Sequence, residues 1–159
     1  QMELTREQTD WLRAADNLYD DEIKPHHAKA AEFIKDAVEI VPTLLTCRSA
    51  RRRCQALILE LTDLRAKILS CDVRWSLQLN DFSKLFPDAH QFPRLQRALE
   101  RTAHGLQSAR NATQDAESAL SLRLSQAMDY WTNMLAVLAI VLTALLGGVS
   151  ILVTLWPTR

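Results

Sequence analysis

The chain has 159 residues, and its 19 Lys and Arg balance 19 Asp and Glu, so the formal net charge is zero and the pI about 7.1. Zero net charge argues against a general nucleic-acid binder, which needs a basic footprint. Three glycines and five prolines supply neither a Gly-rich phosphate loop nor the frequent turns of a β-sandwich or barrel, which leaves one domain or an elongated assembly of helices.

Thr5-Arg6-Glu7-Gln8 reads as a capping box that opens the first helix. Trp11, Leu12, Ala15, Leu18 and Tyr19 then mark one helical face. The acidic run Asp20-Asp21-Glu22, followed by Pro25, predicts an interruption. A second helix is expected from about Pro25 into Val41, burying Ala30, Phe33, Ile34, Ala37, Val38 and Val41. Pro42 ends it, because proline lacks an N–H and clashes with the preceding turn. Residues 1–42 therefore read as an N-terminal segment of two helices.

The next stretch carries the clearest periodicity. Cys47, Cys54, Leu61, Ile68, Trp75 and Phe82 are spaced by seven, and Ala50, Leu57, Leu64, Cys71, Gln78 and Leu85 each follow by three. This is an apolar heptad with Gln78 as its polar exception, predicting a coiled-coil-like helix over about 43–83. Pro87, Asp88 and Pro93 break the chain, placing a turn at 86–93. Leu99, Leu106, Thr113, Leu120 and Ala127 form a second series of seven, accompanied by the small residues Thr102, Ala109 and Ala116. Residues 43–131 thus read as an antiparallel helical stalk. Its seam is expected along Cys54, Leu57, Leu61, Leu64, Ile68, Trp75, Leu99, Leu106 and Leu120. Two seams this long are expected to be completed by a second copy, making the chain a homo-oligomer.

Charge vanishes after Asp129, and only Arg159 follows. The apolar run 132–155 is roughly 24 residues, enough to cross about 30 Å of hydrocarbon as a helix. A buried core helix of that kind needs a larger protein around it. Residues 132–156 are therefore assigned to a single transmembrane helix, with Trp131 and Trp156 as interface anchors. No Pro interrupts residues 94–156, so one helix of roughly 60 residues is expected to run about 90 Å from the stalk through the bilayer. Ala139, Thr143 and Gly147, with Gly148, place small residues for close helix packing in lipid. Asn133, Thr143 and Ser150 are the polar candidates for lining a pore. The fold class is all-α: elongated antiparallel helices with a long C-terminal helix continuing into the membrane.

Little catalytic chemistry is legible. Cys47, Cys54 and Cys71 fall on heptad core positions and read as packing residues in reducing surroundings, with no CxxC pair. Asp20, Asp21, Glu22, His26 and His27 offer oxygen and imidazole groups to a divalent cation, but read first as a solvated helix end. Arg48 and Arg51-Arg52-Arg53 form a basic patch far along the chain from the bilayer, open to anionic headgroups, RNA or an acidic partner but read first as a solvated helix face. No nucleophile elbow, HExxH or paired-carboxylate motif is present, so no enzyme and no cofactor are expected. A chain beginning Gln1-Met2 is compatible with a segment of a longer polypeptide.

Around the membrane junction, Ser121, Arg123, Met128 and Thr132 match the pattern S-x-R-x-N-x-x-M-x-x-L-T, with Ser125 replacing Asn and Trp131 replacing Leu. This resembles the stalk-to-membrane junction of CorA-type divalent-cation transporters, and with the paired long helices the likeness spans about 43–150. It implies a shared helical, pentameric scaffold. The family's Gly-Met-Asn signature is absent, with Val149-Ser150-Ile151 near that place, so its selectivity residues are not carried over.

The sequence thus leads to a membrane-anchored helical oligomerisation or interaction protein, with the lipid bilayer, a second copy or another helical protein as partners. It is expected to be single-pass, anchored at its C-terminus, with the N-terminal portion cytoplasmic. The alternative is an oligomeric pore or CorA-like channel, or a membrane-permeabilising effector; a divalent cation enters only there.

Overall fold

The capping box forms as its spacing predicts: Thr5 Oγ1 accepts from Gln8 N at 3.3 Å, and Gln8 Oε1 accepts from Thr5 N at 3.0 Å. A computed structural model describes residues 4–86 and 92–155, with backbone alone for 151–155. In chain order the elements are α1 (Arg6–Asn17), a π-helical segment (Leu18–Ile23), α2 (Lys24–Glu39), α3 (Cys47–Leu85) and α4 (Pro93–Leu155). The described residues contain no strand.

The interruption expected at 20–25 is not a break. The chain stays helical from α1 into α2 and widens to π geometry for one stretch. In a regular helix the Pro25 ring would collide with the carbonyl of Asp21; a wider turn relieves that clash. α1, the π segment and α2 therefore form one rod, which runs antiparallel to α3 and parallel to α4. The C-terminal end of the rod also differs from expectation. Helix α2 stops at Glu39, Ile40 turns to an extended backbone, and Val38 and Val41 are exposed instead of buried.

The N-terminal rod lies along the α3–α4 pair and completes a three-helix bundle. One apolar cluster, nearer the C-terminal end of α2, joins Ala30, Phe33 and Ala37 of α2 to Cys54, Leu61 and Leu64 of α3 and Ala109, Ala116 and Leu120 of α4. A second cluster, at the far end, joins Trp11 and Ala15 to Cys71, Trp75, Leu95 and Leu106. There the Trp11 ring packs 5.1 Å from Phe82 and 5.6 Å from Phe86. Its indole Nε1 donates to the Gln78 carbonyl at 3.0 Å.

Side chains from neighbouring helices close two helix ends, whose last carbonyls have no partner within their own helix. Gln8 Nε2 donates to the Leu85 carbonyl at 2.9 Å. Arg123 Nε donates to the Ala37 carbonyl at 3.2 Å, and its Nη1 donates to Gln126. Small residues along α4 let both other helices approach. Gly105 is one point of close approach: a Cβ there would lie 2.6 Å from Tyr19 Cε2 and 3.2 Å from Ile23 Cγ2. The π segment thus seats its Tyr19 ring directly over the α4 backbone. The Arg101 guanidinium lies 4.1 Å from the centre of the same ring.

Candidate functional site

The residues of the heptad seam expected from the sequence face inward. Cys54, Leu61, Leu64, Ile68, Trp75, Leu106 and Leu120 are buried within the single chain, and Leu57 and Leu99 are half-buried at its margin. The rod α1–α2 covers the groove that a second copy was expected to fill. The premise for oligomerisation through this seam, an exposed apolar stripe, is therefore absent. Sequence periodicity marks the buried stripe without saying which helix buries it; here it is the chain's own N-terminus.

The acidic-histidine run is likewise occupied. Glu22 accepts from Arg74 at both carboxylate oxygens, one contact measuring 2.6 Å, and Asp20 accepts from Arg101 at 2.7 Å. The Arg74 guanidinium holds the Glu22 carboxyl below its ordinary pKa. Burial lowers the pKa of His26. Burial also raises the thiols of Cys54 and Cys71, the latter further through its hydrogen bond to Glu22. No group of three or more His, Cys, Asp or Glu side chains is placed to hold a metal among the described residues.

Helix α4 leaves the bundle near Ala127 and continues without a break to Leu155. It is long and apolar enough to cross a membrane, and its most apolar window has none of its residues buried. Ala139, Gly147 and Gly148 lie on this exposed extension, and a Cβ at either glycine would meet nothing within 4 Å. Asn133, Thr143 and Ser150 lie there too, and the Thr143 and Ser150 hydroxyls donate to the carbonyls of Ala139 and Leu146 on their own helix. That local bonding lets a hydroxyl sit in an apolar helix without requiring a water-filled face. Trp156 lies outside the described residues.

Where α4 leaves the bundle, the chain folds back on itself in a way the sequence did not reveal. Trp131 lines a groove of about 480 Å³ together with Cys47, Arg48, Arg51, Arg52 and Gln55. Across α4, a groove of about 510 Å³ brings Val41 and Pro42 beside Arg123, Gln126, Tyr130 and Asn133. The basic patch, some eighty residues away along the chain, therefore stands level with the first residues of the apolar extension. The signal that could have found it was the antiparallel stalk itself, which sets the start of α3 beside the exit of α4; the turn expected at 86–93 lies largely outside the described residues.

Neither a family model, nor a curated protein, nor a solved structure matches this chain.

Proposed function

We infer that this chain is a non-enzymatic, single-pass membrane protein that holds a prefolded three-helix interaction module against the bilayer, with the module on the cytoplasmic side. The observation that carries this reading is the continuity of α4: its first half is the bundle's central helix, and its second half is an uncovered apolar helix. A surface this apolar is not stable in water, whereas a bilayer satisfies it and helical hydrogen bonding satisfies the backbone. The three cysteines are free and buried, which suits the reducing side of a membrane.

Because the heptad seam is closed within the chain, association between copies is assigned to the membrane helix, where Ala139, Thr143, Gly147 and Gly148 allow close approach. The outer face of α3 is a second surface for a helical partner: Leu59, Leu69, Val73 and Leu77 are exposed there.

Expression of the full chain in membranes followed by alkaline extraction tests the anchor, and cross-linking in mild detergent tests the association. The reading predicts a chain that resists extraction and a cross-linked oligomer that Gly147→Leu or Gly148→Leu weakens. Extraction by alkali, or a strictly monomeric particle, would count against it. Ion flux into liposomes at high protein load would replace it with the pore reading.

A further inference from the structure

The bundle's membrane-side end carries two features that its folding does not use. The first is apolar. The turn between α2 and α3 is tied internally: Thr43 N donates to Thr46 Oγ1 at 3.1 Å, and Thr46 N donates to the Thr43 carbonyl at 3.2 Å. That closure turns Val41, Leu44 and Leu45 outward, 64%, 55% and 97% exposed. The second is basic. Arg48, Arg51 and Arg52 are exposed and make no ion pair among the described residues, while Arg53 beside them reaches Asp36 at 3.8 Å. Farther along the bundle, Arg65, Arg74, Arg101 and Arg110 each meet a carboxylate on a neighbouring helix. Arg6, Arg94 and Arg97, toward the far end, likewise make no ion pair among the described residues, so what sets Arg48, Arg51 and Arg52 apart is that they gather on one groove beside Trp131, at the start of the apolar extension.

We propose that this end of the bundle is a second, peripheral membrane contact, in which Arg48, Arg51 and Arg52 bind the phosphates of anionic lipid headgroups beside Trp131 while Leu44 and Leu45 enter the interface. The chemistry follows from the residue types. Guanidinium groups bind phosphate through paired donors, and a basic cluster within a few ångströms of an anionic leaflet is attracted to it. Exposed leucines and an indole at the same level match the apolar side of the interface. Arg48 and Arg52 also line a shallow groove with Leu45 and Ser49, so the charged and apolar elements share one surface. The occupant is lipid and not a soluble phosphate compound, because α4 fixes this surface at the bilayer. Two contacts, one spanning and one peripheral, would set the tilt of the bundle over the membrane.

This inference rests on the membrane anchoring proposed above, and the test separates the two. The full chain is placed in nanodiscs of phosphatidylcholine with phosphatidylglycerol, and the lipids it retains on release are identified by native mass spectrometry. The expected result is preferential retention of phosphatidylglycerol, weakened roughly tenfold or more in the triple variant R48Q/R51Q/R52Q. The charge-preserving R48K/R51K/R52K should keep most of the preference, and inorganic phosphate should not displace the lipid. Equal retention by wild type and the Gln variant, with circular dichroism showing both folded, would overturn the proposal. So would displacement by inorganic phosphate. A chain that alkali strips from pure phosphatidylcholine membranes removes the anchor and this inference together. A chain that stays anchored but shows no lipid preference removes only the inference.

Discussion

Gln78 is a half-buried residue of α3 whose side-chain oxygen is buried without a hydrogen-bond partner among the described residues. A buried polar atom left unpaired costs about 1–3 kcal/mol, and the Trp11 indole bonds the Gln78 backbone instead of its side chain. Gln78→Leu is therefore expected to raise stability by about 1 kcal/mol in chemical denaturation; a loss of stability would show that the amide has a partner in solution. Gly105 has the opposite constraint. A β-branched side chain there meets the Tyr19 ring and the buried Ile23, so Gly105→Val should destabilise by about 1–3 kcal/mol. A neutral result would mean that Tyr19 swings clear at no cost. Two half-buried titrating groups contribute to the pH dependence. His26 and Glu22 both have folded-state pKa values below their ordinary ones. Below about pH 6.5 the unfolded chain takes up a proton at His26 before the folded chain does, and at lower pH the same holds at Glu22. Stability should be complete at neutral pH and fall on acidification. His26→Gln should flatten the upper part of that fall; an unchanged slope would remove His26 from it.

At the scale of elements, α3 presents two apolar faces with different fates. Leu61, Leu64 and Ile68 are buried, whereas Leu59, Leu69 and Val73 are exposed. Truncating a buried leucine removes transfer free energy and leaves a cavity, so Leu120→Ala in α4, which is 0% exposed, should cost about 2–5 kcal/mol. Leu69→Ala should lie within about 0.5 kcal/mol of wild type in the isolated chain. Similar losses at both positions would mean that a partner covers the outer face. The heptads made α3 and the stalk part of α4 legible in the sequence, because a period of seven fixes one face of a long helix. The capping box fixed the start of α1 for a similarly local reason. The differences at Pro25 and at the seam have separate physical origins, one local and one tertiary. Pro25 is tolerated by a widened helical turn, which composition does not distinguish from a loop. The seam around Cys54 and Leu64 is closed by α2, and periodicity is blind to whether the covering helix comes from the same chain. The placement of Arg48, Arg51 and Arg52 beside Trp131 was implicit in the antiparallel stalk but needed the fold to bring residues some eighty positions apart to one level.

For the whole molecule, zero net charge conceals a division of labour. Residues 1–46 carry 10 acidic against 5 basic side chains, or −5, while residues 47–129 carry 9 against 13, or +4; Arg159 closes the sum. The fold lays these unlike parts side by side, so that Asp20, Glu22 and Asp36 of the N-terminal rod meet Arg101, Arg74 and Arg53. Each such surface pair contributes little, about 0–1 kcal/mol, yet together they favour this alignment of the rod. Because the core closes within one chain, the unfolding midpoint of the bundle in detergent should not change with protein concentration. A midpoint that rises with concentration would place the seam between copies. The central claim is that one uninterrupted helix is both the core of the bundle and the membrane span. Hydrogen exchange of the full chain in lipid nanodiscs tests it most directly, since buried or lipid-covered helical amides exchange slowly and water-exposed ones do not. Slow exchange is expected from the bundle through residues 129–133 and on to 150. Rapid exchange over 132–150, or a gap of rapid exchange at the bundle's edge, would contradict it.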